Sequence, residues 1–188
     1  MNAQTQIVAG SMGAIAQQIG KSLAETFLSA EVIIIVDTSG SMNTMDSRGG
    51  KSRYDVACEE LAQLQAHKPG KIAVISFSNQ VIFCPSGVPT YFGGGTDMAK
   101  ALQFAKVADV PGMQFILISD GQPDDPERTL TIARSYKNKI SVVYVGPEDR
   151  SLGRDFLDKL AKTTGGQSIA VECAKNLKSG IVTLLLPK

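Results

Sequence analysis

Oxygen-bearing side chains at three separated places in this chain have the types and spacing to hold a hard cation. They are Asp37, Ser39 and Ser41 in IIIVDTSGSM, Thr96 in GGGTD, and Asp120 in ILISDGQPDD. A set of hydroxyls and carboxylates with no nitrogen or sulfur suits Mg2+ or Mn2+ and disfavours zinc and copper. Mg2+ is the expected ion, with Mn2+ or Ca2+ as alternatives. The set supplies two carboxylates and three neutral hydroxyls. A calcium-buffering site usually gathers more carboxylates, whereas Mg2+ takes six oxygens and readily keeps waters. Five protein groups leave a coordination position open. A nearly neutral site of that kind would welcome one further carboxylate, which a partner could supply.

The elements that must position these groups follow from the hydrophobic pattern. Val32–Val36 is a continuous β-branched run, the signature of a strand buried on both faces, and Asp37 stands at its carboxyl end. Phe115–Ser119 is another strand, and Asp120 follows it directly. In an open α/β sheet, ligands gather outside the carboxyl ends of the strands where the winding reverses. Asp37, Ser39 and Ser41 alternate, so in an extended turn they aim at one point. Ile72–Phe77 and Val81–Cys84 are strands separated only by Ser78, Asn79 and Gln80. So short a link cannot hold a crossover helix, so this pair is an antiparallel hairpin. The segment from Pro85 to Phe92 must then carry the chain back up the sheet. Fully extended it spans roughly 26 Å, enough to cross a strand. Gly93–Gly95 permit a tight approach, and Thr96 arrives at a helix start.

Helices are expected at about 11–28, at Tyr54–Leu64, at Asp97–Ala108, at Glu127–Tyr136, at Leu152–Thr163 and at Asn176–Leu186, with further strands at Ile140–Val145 and Ser168–Val171. Strands alternating with helices specify an α/β fold. It is a doubly wound, mostly parallel six-stranded sheet with one antiparallel edge strand and helices on both faces. An N-terminal helical extension, residues 1–29, precedes the main domain, residues 30–188. Its stripe from Met12 to Phe27 reads as a face packed on its own domain, with self-association as the second use.

The pattern D-x-S-x-S, then a distant Thr, then Asp in a strand-Asp-Gly context, resembles the metal-ion-dependent adhesion site of von Willebrand factor A domains. All five positions are filled, in order and in the right elements: Asp37, Ser39, Ser41, Thr96 and Asp120. The resemblance covers about residues 31–186. It implies that Ser39, Ser41 and Thr96 contact the metal directly or nearly so, and that Asp37 and Asp120 act mainly through waters. It implies a Rossmann-like fold and capture of a ligand Asp or Glu. The last helix is shorter and more broken than a long C-terminal switch helix, so piston-like activation is not carried over.

Composition narrows the remaining classes. Lys and Arg number 19 against 18 Asp and Glu, and Trp is absent, so neither a nucleic-acid partner nor an acidic membrane partner is indicated. The longest apolar runs are too short to span a bilayer. No basic segment precedes an apolar core at the N-terminus, and Cys58, Cys84 and Cys173 are scattered and odd in number. Free thiols in a reducing compartment, and hence the cytoplasm, are expected.

The single histidine, His67, lies near a helix end, far from either candidate nucleophile region, so a Ser-His-Asp or Cys-His device is not indicated. Asp97, Asp124 and Asp125 read as helix-start acids. The charged, glycine-rich stretch DSRGGKSR, 46–53, reads as a mobile loop at the rim of the site. The expected function is therefore a metal-dependent protein-binding module, an adaptor or scaffold subunit rather than an enzyme. The alternative is a Mg2+-dependent phosphohydrolase, since DTSGS is distantly similar to phosphatases with an Asp nucleophile after the first strand. Such enzymes need a second acid two residues on, where this chain has Ser39, and no stabilising Lys is evident. A nucleotide site at Gly93–Thr96 has neither phosphate-loop spacing.

Overall fold

The computed structural model describes residues 7–148 and 151–185, excluding the side chains of Ser151 and Cys173. The expected thiol of Cys173 and the helix end at Leu186 lie outside the described residues. The strands are β1 (Val32–Asp37), β2 (Ile72–Phe77), β3 (Val81–Phe83), β4 (Gln114–Ser119), β5 (Ile140–Tyr144) and β6 (Ser168–Ala170). The helices are α1 (Met12–Ile19), α2 (Leu23–Phe27), α3 (Arg53–His67), α4 (Met98–Ala105), α5 (Pro126–Arg134), α6 (Ser151–Thr164) and α7 (Leu177–Leu185).

The sheet runs β3-β2-β1-β4-β5-β6, parallel throughout except for β3 at the edge. The mostly parallel α/β sheet with one antiparallel edge strand is thus present as expected. The central position of β1 follows from its sequence, because every residue from Val32 to Val36 is apolar and buried. Its two faces feed two separate cores. Ile33 and Ile35 pack with Met98 and Leu102 of α4, Leu130 of α5 and Leu157 of α6. Val32, Ile34 and Val36 pack with Leu61 and Leu64 of α3 and Leu177 and Ile181 of α7. From β1 the chain moves to β2 on one side, and from the hairpin it returns to β4 on the other. The winding therefore reverses between β1 and β4, where a crevice is expected.

The return path of the chain after β3 is fixed by hydrogen bonds. Cys84 N donates to Val74 O at 2.8 Å, Thr90 N to Ser76 Oγ at 2.8 Å, and Gly93 N to Thr38 O at 2.9 Å. The segment climbs β2 step by step and reaches the end of β1, which is the crossing that its length allows.

The expected helix over 11–28 is two helices. Gly20 takes the left-handed conformation (φ 65°) and closes α1 through its N–H to Ala16 O. Glycine adopts that conformation at no steric cost and so ends a helix rather than merely weakening it. Ser22 and Glu25 then form a capping box that starts α2. The stripe is accordingly not one face. Met12 is buried in the core at 1% exposure, whereas Ile19 and Leu23 are exposed. Gly13 N donates to Pro85 O at 2.7 Å, Gly70 N to Gly10 O at 2.8 Å, and Phe27 meets Phe83 edge to face at 5.8 Å. The segment packs on the β2–β3 edge of its own sheet. Met12→Ala is expected to cost about 2 to 5 kcal/mol of stability, the range for truncating a buried side chain, as read by urea unfolding. A cost under half a kcal/mol would show that the segment is dispensable to the core.

Among the described residues no helix is long and apolar enough to cross a membrane. His67 caps its own helix end, its Nδ1 lying 2.6 Å from Gln63 O.

Candidate metal centre

β1 and β4 are adjacent and parallel, with Val36 opposite Ile118. That register places Asp37 and Asp120 at the same end of neighbouring strands. Asp37 is fully buried. Its Oδ1 accepts from Ser39 N at 2.8 Å and its Oδ2 from Ser119 Oγ at 2.6 Å. Ser39 Oγ lies 3.2 Å from Ser41 Oγ, and Ser41 Oγ donates to Asp120 Oδ1 at 2.7 Å. Ser39, Ser41 and Asp120 therefore form a chain of hydrogen-bonded oxygens, and Asp37 is tied to it through the Ser39 amide.

Thr96 enters through its loop. Gly40 N donates to Gly94 O at 3.1 Å, so the GGGT loop lies directly on the DTSGS loop. Gly93 and Gly94 both have positive φ (69° and 80°). The position of Thr96 is then locked from the far side. Its N–H is accepted by both oxygens of Asp124, at 3.1 and 3.0 Å, and Asp124 N donates back to Thr96 O at 3.0 Å. Asp124 thus has a role beyond a helix-start acid. Asp125 caps α5, with Pro126 in its first turn, and Asp97 caps α4. A Cβ at Gly95 would sit 2.7 Å from Asn79 Oδ1 and 2.8 Å from Asp124 Oδ2. Gly95→Ala is therefore expected to push Asp124 off the Thr96 amide and to weaken Mg2+ binding about tenfold or more, with little change in helix content. Calorimetric titration with Mg2+ checks this, and unchanged affinity would remove Thr96 from the set.

The stretch 46–53 is built into the site rather than lying loosely at its rim. Ser47 N donates to Lys51 O at 3.1 Å and Arg53 N to Thr44 O at 3.3 Å, while Arg48 and Lys51 pair with Glu59. Arg53 opens α3 with its side chain 1% exposed. Its guanidinium bridges two carboxylates: Nη1 to Asp120 Oδ2, Nη2 to Asp46 Oδ2, and Nε to Asp46 Oδ1 at 2.9 Å. A cation thus stands beside the oxygens, which sequence reasoning missed. One signal for it is present, because an Arg in the first turn opposes the helix dipole and calls for a compensating anion.

The electrostatics favour a cation among the oxygens. Burial, and then the nearby Asp120, push Asp37 up to about 7 from its usual 3.8. A carboxylate so far from water needs a positive partner to stay ionised at neutral pH. Two oxygens bound at right angles to Mg2+, each about 2.0 to 2.1 Å away, are about 2.8 to 3.0 Å apart. The Ser39–Ser41 separation of 3.2 Å is that of a hydrogen-bonded hydroxyl pair, slightly wider than a Mg2+-bound pair. Among the described residues no three His, Cys, Asp or Glu side chains are grouped for a metal; the oxygens gathered here belong to hydroxyls as much as to carboxylates. The donor set fits a hard divalent ion.

No family model and no curated protein matches the chain. Solved structures do. An aerotolerance-related membrane protein from Bacteroides fragilis aligns at TM-score 0.66 and 18% identity, over 83% of this chain and 98% of that one. The manganese-loaded TRAP protein of Plasmodium vivax aligns at 0.60 and 15%, over 85% and 72%. A von Willebrand factor type A protein from Catenulispora acidiphila aligns at 0.61 and 18%, over 81% and 41%. At these identities the likeness concerns the fold alone, and the fold of this chain is that of the von Willebrand factor A domains.

Proposed function

We propose that the protein is a metal-dependent protein-binding module. Asp37, Ser39, Ser41, Thr96 and Asp120 would hold Mg2+ or Mn2+, and the ion would supply a Lewis-acidic position for an Asp or Glu carboxylate of a partner protein. The observation that carries this is the Asp37, Ser39, Ser41 and Asp120 cluster at the switch point, with the loop that carries Thr96 bonded to the DTSGS loop through Gly40 N and Gly94 O. A manganese-loaded neighbour of the same fold adds support. The residues themselves do the positioning. Ser119 and the Ser39 amide orient Asp37, and Asp124 holds the Thr96 loop. An adaptor or scaffold role in a reducing compartment fits the free thiols of Cys58 and Cys84.

Affinity capture from the source cells, in Mg2+ and in EDTA, tests this. A partner is expected to be retained in Mg2+, released in EDTA, and lost with Asp37→Ala. Equal retention in EDTA would rule out metal-dependent capture.

A further inference from the structure

The buried guanidinium of Arg53 deepens this reading and rests on it. Arg53 divides the Asp120 carboxylate. One oxygen, Oδ2, is taken by Arg53 Nη1, and the other, Oδ1, faces the Ser41 hydroxyl. Asp46 grips the same guanidinium through two bonds and keeps it in place. Asp46 is about one-third exposed, whereas the side chains of Arg53 and Asp120 are buried. The planar fork of Arg suits this, since it can bond two carboxylates at fixed angles and stays charged at any physiological pH.

We infer that Arg53 is a positioning residue that holds Asp120 to one-oxygen engagement and keeps a bound divalent ion under-neutralised, so that the ion binds the protein less tightly but a partner's carboxylate more tightly. Two effects point the same way. With Oδ2 committed to the guanidinium, Asp120 cannot give both oxygens to the ion. The positive charge of Arg53 also offsets that of one carboxylate. A unit charge one carboxylate away from a divalent ion changes its affinity by about tenfold or more, even at the effective dielectric of a protein surface. The positive charge left over on the ion is what an incoming carboxylate meets. Specificity for an acidic partner is thus set partly by a residue that touches neither the metal nor the partner.

The test uses the whole protein and two defined probes: Mn2+ alone, titrated by calorimetry, and N-acetyl-aspartate amide, titrated onto the Mn2+-loaded protein and followed by water-proton relaxation. Arg53→Gln is expected to tighten Mn2+ binding about tenfold or more and to weaken the carboxylate probe. Arg53→Lys keeps the charge and is expected to stay within about threefold of wild type for Mn2+. Asp46→Asn, at a partly exposed position, leaves the guanidinium less compensated and is expected to weaken Mn2+ binding. A merely structural Arg53 would give weaker binding of both probes in Arg53→Gln and no opposed sign between Arg53→Gln and Asp46→Asn. That pattern, or Mn2+ affinity in Arg53→Gln no tighter than wild type, would overturn the inference alone. If Arg53→Gln fails to fold, Asp46→Asn decides: weaker Mn2+ binding with tighter binding of the carboxylate probe supports the inference, and weaker binding of both, or unchanged or tighter Mn2+ binding, overturns it. Wild-type protein that binds no Mn2+ would overturn the metal-dependent function and this inference together.

Discussion

Asp37→Asn is expected to weaken Mg2+ binding about 100-fold while making the metal-free protein more stable at pH 8. The first effect follows from removing one of the two carboxylates of the oxygen cluster, since even groups that act on a metal through intermediates are worth about 10- to 100-fold in affinity. The second follows from burial. Asp37 is fully buried and sits near Asp120, and both circumstances penalise its charged form. Asn is nearly the same shape and carries no charge. Its oxygen can still accept from the Ser39 amide. The amide group at the Oδ2 position can donate to Ser119 Oγ, whose proton can turn toward Gly121 O, 3.5 Å away. The gain in metal-free stability is on the order of 2 to 4 kcal/mol, from a shift of a few pKa units at about 1.4 kcal/mol each. Thermal unfolding with and without Mg2+ reads both effects at once. A variant that is destabilised without metal, or that still gains stability from Mg2+, would show that Asp37 is not a buried charge awaiting a cation.

Mg2+ affinity is expected to rise about tenfold per pH unit up to about pH 7 and to level off above it. Metal and proton compete for Asp37, because a ligand or its close support must be deprotonated for a cation to be favoured. The plateau begins where the raised value of Asp37, about 7, is passed. The metal-free protein should show the opposite trend in its own stability. Asp37 binds its proton more strongly folded (about 7) than unfolded (about 3.8). Its contribution to stability is therefore greatest below about pH 4 and is lost as pH rises through 7. Calorimetric titrations between pH 5.5 and 8.5, with melting curves in EDTA over the same range, give both slopes. Affinity independent of pH across that interval would mean that Asp37 is ionised throughout.

Much of the fold could be read from residue types because local and global demands agree. The unbroken run Val32–Val36 has no polar face to turn to solvent, so it had to be central and covered twice. The three-residue link after Phe77 excluded a crossover and so set the one antiparallel strand at an edge. The span from Pro85 to Phe92 had the reach to bring Thr96 back, and the bonds at Cys84, Thr90 and Gly93 show it doing so. What was not legible depended on distant partners or on which of two neighbours takes a role. DSRGGKSR looks like a solvated loop because its glycines and charges say so. The significance of Arg53 lies with Asp120, 67 residues further on. Asp124 and Asp125 are alike as helix-start acids. Only the structure shows Asp125 taking the cap and leaving Asp124 to hold the Thr96 amide. Gly20 lies inside a stretch whose apolar spacing reads as one helix, yet its left-handed backbone ends one helix so that a capping box can begin another.

The most direct measurement is anomalous X-ray scattering from crystals grown with Mn2+. One manganese peak is expected at the carboxyl edge of β1 and β4, in contact with the hydroxyls of Ser39, Ser41 and Thr96 and beside Asp37 and Asp120, and absent from Asp37→Asn crystals. A fully occupied crystal lattice with no peak at that position, or with manganese bound only elsewhere, would contradict a metal centre built from these five oxygens.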